Sequence, residues 1–170
     1  ATAIGGGRFS GSNINAVIAG YIQDFRIVKS AVYTSAFTPP TAPLTAITNT
    51  QLLTCANKND IWDIGSGNLL TKVGNTTASN AQRKFTESSA IYLDGTDDYV
   101  NFGVTGFDFG TGNFNVSCWI KTTMTTANYT GVVAKYGAAG LWIQLTPTNK
   151  YVGFGWHGST FLLSTTTPVN

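Results

Sequence analysis

Asp94, Asp97 and Asp98 fall within five residues and form the densest acidic group in the chain. Their carboxylates could ligate Ca²⁺, a hard cation that takes oxygen donors. The run Asp94-Gly-Thr-Asp-Asp98 is also ordinary turn chemistry. Asp and Gly tolerate left-handed backbone, and Asp bonds its own main chain. A turn is the expected role, with Ca²⁺ at these three residues as the alternative and no other cofactor.

Catalytic chemistry finds little to work with. A retaining glycosidase needs two carboxyl groups about 5–5.5 Å apart, typically from glutamates, and Glu87 is the single glutamate. His157 is the only imidazole. It has no second imidazole with which to hold zinc and no serine or cysteine motif to form a triad. Gly5-Gly6-Gly7 lacks the Lys-Ser/Thr and helix that a phosphate loop requires. No enzyme is expected.

Aromatic side chains are the other candidates. Sugars present apolar C–H faces that stack on Trp and Tyr. Trp142, Trp156, Tyr136 and Tyr151 fall in the late part of the chain and could line a glycan-binding face, although most Trp in a sandwich packs into the core. The formal charge is only +2. Basic residues are scattered singly apart from Arg83-Lys84, so no stripe tracks a phosphate backbone and no nucleic-acid partner is expected. No apolar run approaches the length of a membrane span, so no membrane insertion is expected either.

The elements that position these residues read as strands. Charged residues are 11% of the chain, well below the usual level of about 25%. Thr, Ser, Asn and Gly replace them, a mixture that suits pleated surfaces and tight turns. Residues 17–28 (VIAGYIQDFRIV) form the strongest early strand. Its alternation places Tyr21, Gln23, Phe25 and Ile27 on one face and Ile22, Asp24, Arg26 and Val28 on the other. Residues 90–102 (AIYLDGTDDYVNF) read as a hairpin turning at Asp94-Gly95. In residues 114–121 (FNVSCWIK), Phe114, Val116, Cys118 and Ile120 share one core face. Cys118 is read there as a small buried residue, and a bridge to Cys55 is the alternative. Many short strands, no long helix and turn signals every 8–12 residues or so indicate an all-β sandwich or barrel.

Residues 20–28 (GYIQDFRIV), 31–37 (AVYTSAF) and 38–43 (TPPTAP) resemble the end of laminin-G-like domains of the concanavalin-A-like superfamily. The Tyr-Thr-x-x-Phe-Thr-Pro-Pro-Thr-x-Pro ending is similar to copies found in phage virion and tail-fibre proteins. Residues 89–102 and 107–120 (FDFGTGNFNVSCWI) resemble the front half of the same domain, with Asn113 where the family often has Asp. The resemblance implies an antiparallel jelly-roll sandwich. It also implies a non-enzymatic structural or adhesive module of a virion fibre, decoration or other extracellular appendage. Expected partners are copies of itself, other appendage proteins and host surface glycans. A dedicated carbohydrate-binding module of a secreted bacterial protein is the alternative.

The family's closing motif precedes its opening motif here, and its usual central strands are missing. Two divisions follow from that order. In the first, residues 1–43 end one sandwich, 44–49 form a linker, and 50–170 begin a second. In the other, residues 1–170 make one circularly permuted sandwich.

Overall fold

A computed structural model of the chain describes residues 2–10, 13–56, 60–103, 108–124, 129–135, 140–147, 151–156 and 162–163. Among them the chain is all-β, without helix. The strands are β1 (Thr2–Ile4), β2 (Gly7–Ser10), β3 (Asn13–Asn15), β4 (Ala19–Val28), β5 (Thr50–Thr54), β6 (Thr71–Val73) and β7 (Thr77–Ser79). They continue with β8 (Ala90–Asp94), β9 (Tyr99–Asn101), β10 (Asn115–Thr122), β11 (Thr130–Lys135), β12 (Leu141–Leu145), β13 (Val152–Trp156) and β14 (Leu162–Leu163).

Two antiparallel sheets face each other as a sandwich. One runs β14-β13-β12-β11-β1-β9-β6, the other β10-β4-β8-β7, with β5 also on β4. A two-stranded ribbon, β2-β3, lies apart and crosses strand β11 at Gly131. A Cβ there would collide with the backbone of Gly6 and Gly7, so the crossing requires glycine. The core joins Ile22, Phe25, Leu52 and Leu93 from one sheet to Ile4, Val100, Val132 and Leu145 from the other. Burying a large aliphatic or aromatic side chain contributes roughly 1.5–3 kcal/mol, so this apolar layer is the main source of stability.

The segments on either side of the proline-rich stretch are interleaved. Strand β4 pairs with β5, β8 and β10, and β1 pairs with β9 and β11. Described strands from before and after the proline-rich stretch therefore lie in the same two sheets and contribute to one apolar cluster. Residues 38–43 carry no strand, as a run with three prolines and few free N–H groups requires.

Strand β4 departs from simple alternation. Arg26 lies opposite Ser117 and Gln23 opposite Trp119, so Asp24 and Phe25 together face the single residue Cys118. Asp24 has φ +53°, and the insertion is a β-bulge. Beyond it the inward and outward positions exchange. Ile22 therefore shares the core with Phe25 and Ile27, whereas regular alternation placed it on the opposite face. Gln23 and Arg26 turn outward, where loops cover them.

The expected hairpin over residues 90–102 is not one. Strand β8 belongs to the five-stranded sheet and β9 to the seven-stranded sheet. The chain switches sheets between Asp94 and Tyr99, just as it does between β6 and β7. Strands β12 and β13 pair antiparallel, with Thr146 N–H bonded to Tyr151 O at 2.8 Å. On β10, Val116, Cys118 and Ile120 pack against the core but are only half-buried. Phe114 precedes the strand and stacks on Phe109 at 4.5 Å. Cys55 and Cys118 are free thiols, and burial pushes the pKa of the Cys55 thiol up to about 12.

Candidate functional site

The aspartate group sits at the sheet-switching corner. Asp98 is fully buried. Its Oδ1 accepts the Asn75 N–H at 2.5 Å and its Oδ2 the Asp94 N–H at 2.7 Å. Asp94 Oδ1 accepts the Thr96 N–H at 2.8 Å, and Asn75 Nδ2 reaches Asp94 Oδ2 at 3.4 Å. One carboxylate thus ties together the two places where the chain crosses between sheets. Gly74 has φ +69°, and a Cβ there would fall on the Asp97 and Asp98 carboxylates.

The three carboxylates do converge, with one oxygen of each within 4.8 Å of the others. Ca²⁺ takes six to eight oxygen ligands, however, and both Asp98 oxygens already accept backbone N–H groups. The donor set suits a structural corner better than a cation.

Asp63 does similar work in the loop between β5 and β6. Its carboxylate accepts the N–H groups of Leu53 (2.9 Å), Gly65 (2.8 Å) and Asn68 (2.9 Å). Burial pushes its pKa up, but these backbone donors outweigh that and hold it below the usual carboxylate range. The Gly-Ser-Gly-Asn run that follows Asp63 signals the turn, but only the fold brings Leu53 to it.

The aromatic residues expected to share a glycan face are dispersed. Trp142 pairs with Gly155 across β12 and β13, on the sheet face opposite Ile143, which packs against the core. Trp156 alternates onto the inner face and packs edge-on against Phe114, with centroids 5.6 Å apart. Tyr151 lies at the far end of the same strand pair, four residues from Gly155, or about 13 Å along the strand. Tyr136 and His157 lie outside the described residues. Trp142, Trp156 and Tyr151 do not form one platform.

Two hollows stand out instead. The first is an apolar cleft of about 580 Å³ where the sandwich opens beside β10. Val116, Cys118 and Ile120 form one wall, and Val132, Ile143 and Val152 the other. The loop after β4 closes one end, with Tyr33 and Phe37 stacked at 3.9 Å. The outward side of β4 holds that loop. Leu44 N–H donates to Asp24 Oδ2 at 3.1 Å, and Arg26 Nη1 donates to Thr45 O at 3.0 Å.

Asp24 is fully buried. Desolvation raises its pKa to about 6, against the lowering effects of the Leu44 N–H and the Arg26 charge. This lies above the unfolded value of about 3.9, so the folded state binds the proton more tightly. The resulting stability is fully present below the unfolded pKa and is lost as pH rises through the folded one. Urea unfolding should therefore show stability rising as pH falls from about 7.5 to 5, and Asp24→Asn should flatten that rise. An unchanged slope in the variant would assign the effect to another group.

The second hollow is a groove of about 300 Å³ on the outer face of the five-stranded sheet. Tyr21 and Trp119 line it together with Gln82, Arg83, Lys84 and Lys121. None of these was a candidate from sequence. The available signals were the Arg83-Lys84 pair and the Trp119-x-Lys121 spacing, which puts two side chains on one strand face.

The fold defines this chain as a two-sheet antiparallel β-sandwich. Comparison with protein-family models, curated proteins and solved structures finds no match to it.

Proposed function

We propose that the chain is a non-enzymatic structural and adhesive module of a virion fibre, decoration protein or other extracellular appendage. Its fold is read as a laminin-G-like, concanavalin-A-like jelly roll whose two motif clusters complete one sandwich in permuted order. In support, the strand from the closing motif, β4, lies between two strands from the opening motif, β8 and β10.

The observation that carries the assembly role is the edge at β10. Strand β10 is eight residues long and has β4 on one side, with no described strand on the other. Monomers usually blunt such edges with charge or proline, yet Lys121 is the only charged residue on this one. Beneath it lies the apolar cleft. A second copy pairing β10 to β10 would satisfy the edge and cover that cleft through a self-complementary, closed interface.

Size-exclusion chromatography with light scattering tests this. The parent should self-associate. Val116→Lys should be monomeric, since its ammonium can reach solvent while blocking the cleft. A parent that stays monomeric across a dilution series would overturn the assembly role. The second reading, a carbohydrate-binding module of a secreted bacterial protein, draws on the groove lined by Tyr21 and Trp119. A glycan array separates the two, because a purely structural module binds nothing above background.

A further inference from the structure

We infer that the groove on the outer face of the five-stranded sheet is a binding site for an acidic saccharide, one carrying a carboxylate or sulfate on a sugar ring. The inference deepens the adhesive part of the reading above and relocates it. The residues that carry it are Tyr21, Trp119, Arg83, Lys84 and Lys121, not the aromatic residues of the late strands.

Charge is the first argument. Three of the ten basic side chains of the sequence line this one groove, and no acidic residue does. Among the described residues the ion pairs are Lys72–Asp60 and Lys135–Asp108, so the groove cations have no anionic partner there. Neutral groups hold them instead. Arg83 Nη1 donates to Asn80 Oδ1 at 3.0 Å, Lys121 Nζ donates to Gln82 Oε1 at 2.5 Å, and Lys84 Nζ sits 4.8 Å from the Trp119 ring centroid. These contacts orient the side chains and leave their charge uncompensated. Such a cluster attracts an anion, and charge-assisted bonds to carboxylate or sulfate are the strong class of hydrogen bond.

Shape and preorganisation are the second. Trp119 is braced by Phe85, edge-on at 5.9 Å, and Tyr21 by Tyr92 at 5.2 Å. The loop bearing Arg83 and Lys84 is fastened to the sheet by Gln23, which accepts the Lys84 and Phe85 N–H groups at 2.5 and 3.1 Å. Ordering costs on binding are correspondingly low. A groove of about 300 Å³, at the small end of ligand pockets, matches one or two sugar rings. Aromatic walls suit sugar C–H faces. A nucleic acid is disfavoured because the cations form a point cluster and not a stripe along a backbone.

Titration calorimetry on the full chain tests the site with four probes: a short uronic-acid oligosaccharide, a sulfated one, a neutral one of equal length and a single-stranded oligonucleotide. One or both acidic saccharides should bind at least tenfold more tightly than the neutral probe and the oligonucleotide. Added salt should weaken the binding. Arg83→Ala and Lys84→Ala, at non-core positions, should each weaken it about tenfold, while Lys72→Ala should leave it unchanged. Equal binding of acidic and neutral saccharides, insensitivity to Arg83→Ala and Lys84→Ala, or tighter binding of the oligonucleotide would overturn the site. Saccharide binding that ignores these substitutions removes this site but keeps glycan adhesion. Failure of every saccharide removes both and leaves the β10 assembly test standing on its own.

Discussion

Gln23→Ala is expected to lower the unfolding free energy by about 3–5 kcal/mol, because several buried backbone groups lose their partners at about 1–3 kcal/mol each. The Gln23 side chain is almost fully buried. Its Nε2 donates to Phe85 O at 2.9 Å, to Ser88 O at 3.2 Å and to Ser88 Oγ at 2.6 Å. Its Oε1 accepts two further N–H groups from the same loop. Truncation removes the side-chain partner of all these groups at once. In a chain of this size 1 kcal/mol moves the melting temperature by roughly 2–4 °C, so a fall of about 10 °C is expected. Gln82→Ala, at an exposed position in the same loop, should change stability by less than about 0.5 kcal/mol. A Gln23→Ala melting temperature equal to that of Gln82→Ala would contradict the clamp.

Asp98→Ala carries the second large effect, about 3–5 kcal/mol, from two charge-assisted bonds to backbone N–H groups at about 1.5–3 kcal/mol each. It would release both sheet-switching turns together, since Asn75 and Asp94 belong to different crossings. Asp97 is exposed, so Asp97→Ala should stay within about 0.5 kcal/mol of the parent. Ca²⁺ bound by all three aspartates would behave differently. Both substitutions would then destabilise, Ca²⁺ would raise the melting temperature and a chelator would lower it. Thermal melts of the parent and both variants, with and without EDTA, separate the two accounts. A chelator-sensitive parent would rule out the purely structural corner.

Much of the strand inventory was legible in the residues. Alternation marked β4 and β10, and the three prolines of residues 38–43 accord with a segment that carries no strand. These signals are local, because a strand with one buried face must alternate and proline cannot donate to a ladder. The bulge at Asp24 was not legible. A non-glycine residue at positive φ leaves no mark in composition, and it reverses the facing of every later side chain on the strand. The hairpin reading of residues 90–102 failed for a related reason. Asp-Gly favours a tight reversal, but whether the next strand pairs beside the last or crosses to the other sheet depends on distant partners, here the Asn75 N–H.

The candidate site shows the same division. Composition determined that this is a strand-forming chain, poor in the paired glutamates, imidazoles and phosphate loops that catalysis uses. The aspartates at 94, 97 and 98 declared a turn by type and spacing. Only the tertiary structure separated Trp142 from Trp156, because alternation and strand pairing place them on opposite faces of one sheet. It alone gathered Tyr21, Arg83, Lys84, Trp119 and Lys121, which are up to a hundred residues apart in sequence, into one groove. Local sequence encodes backbone preference and which face of a strand is apolar. Which strands become neighbours is a matter of long-range packing, and a site built across several strands exists only once that packing is complete.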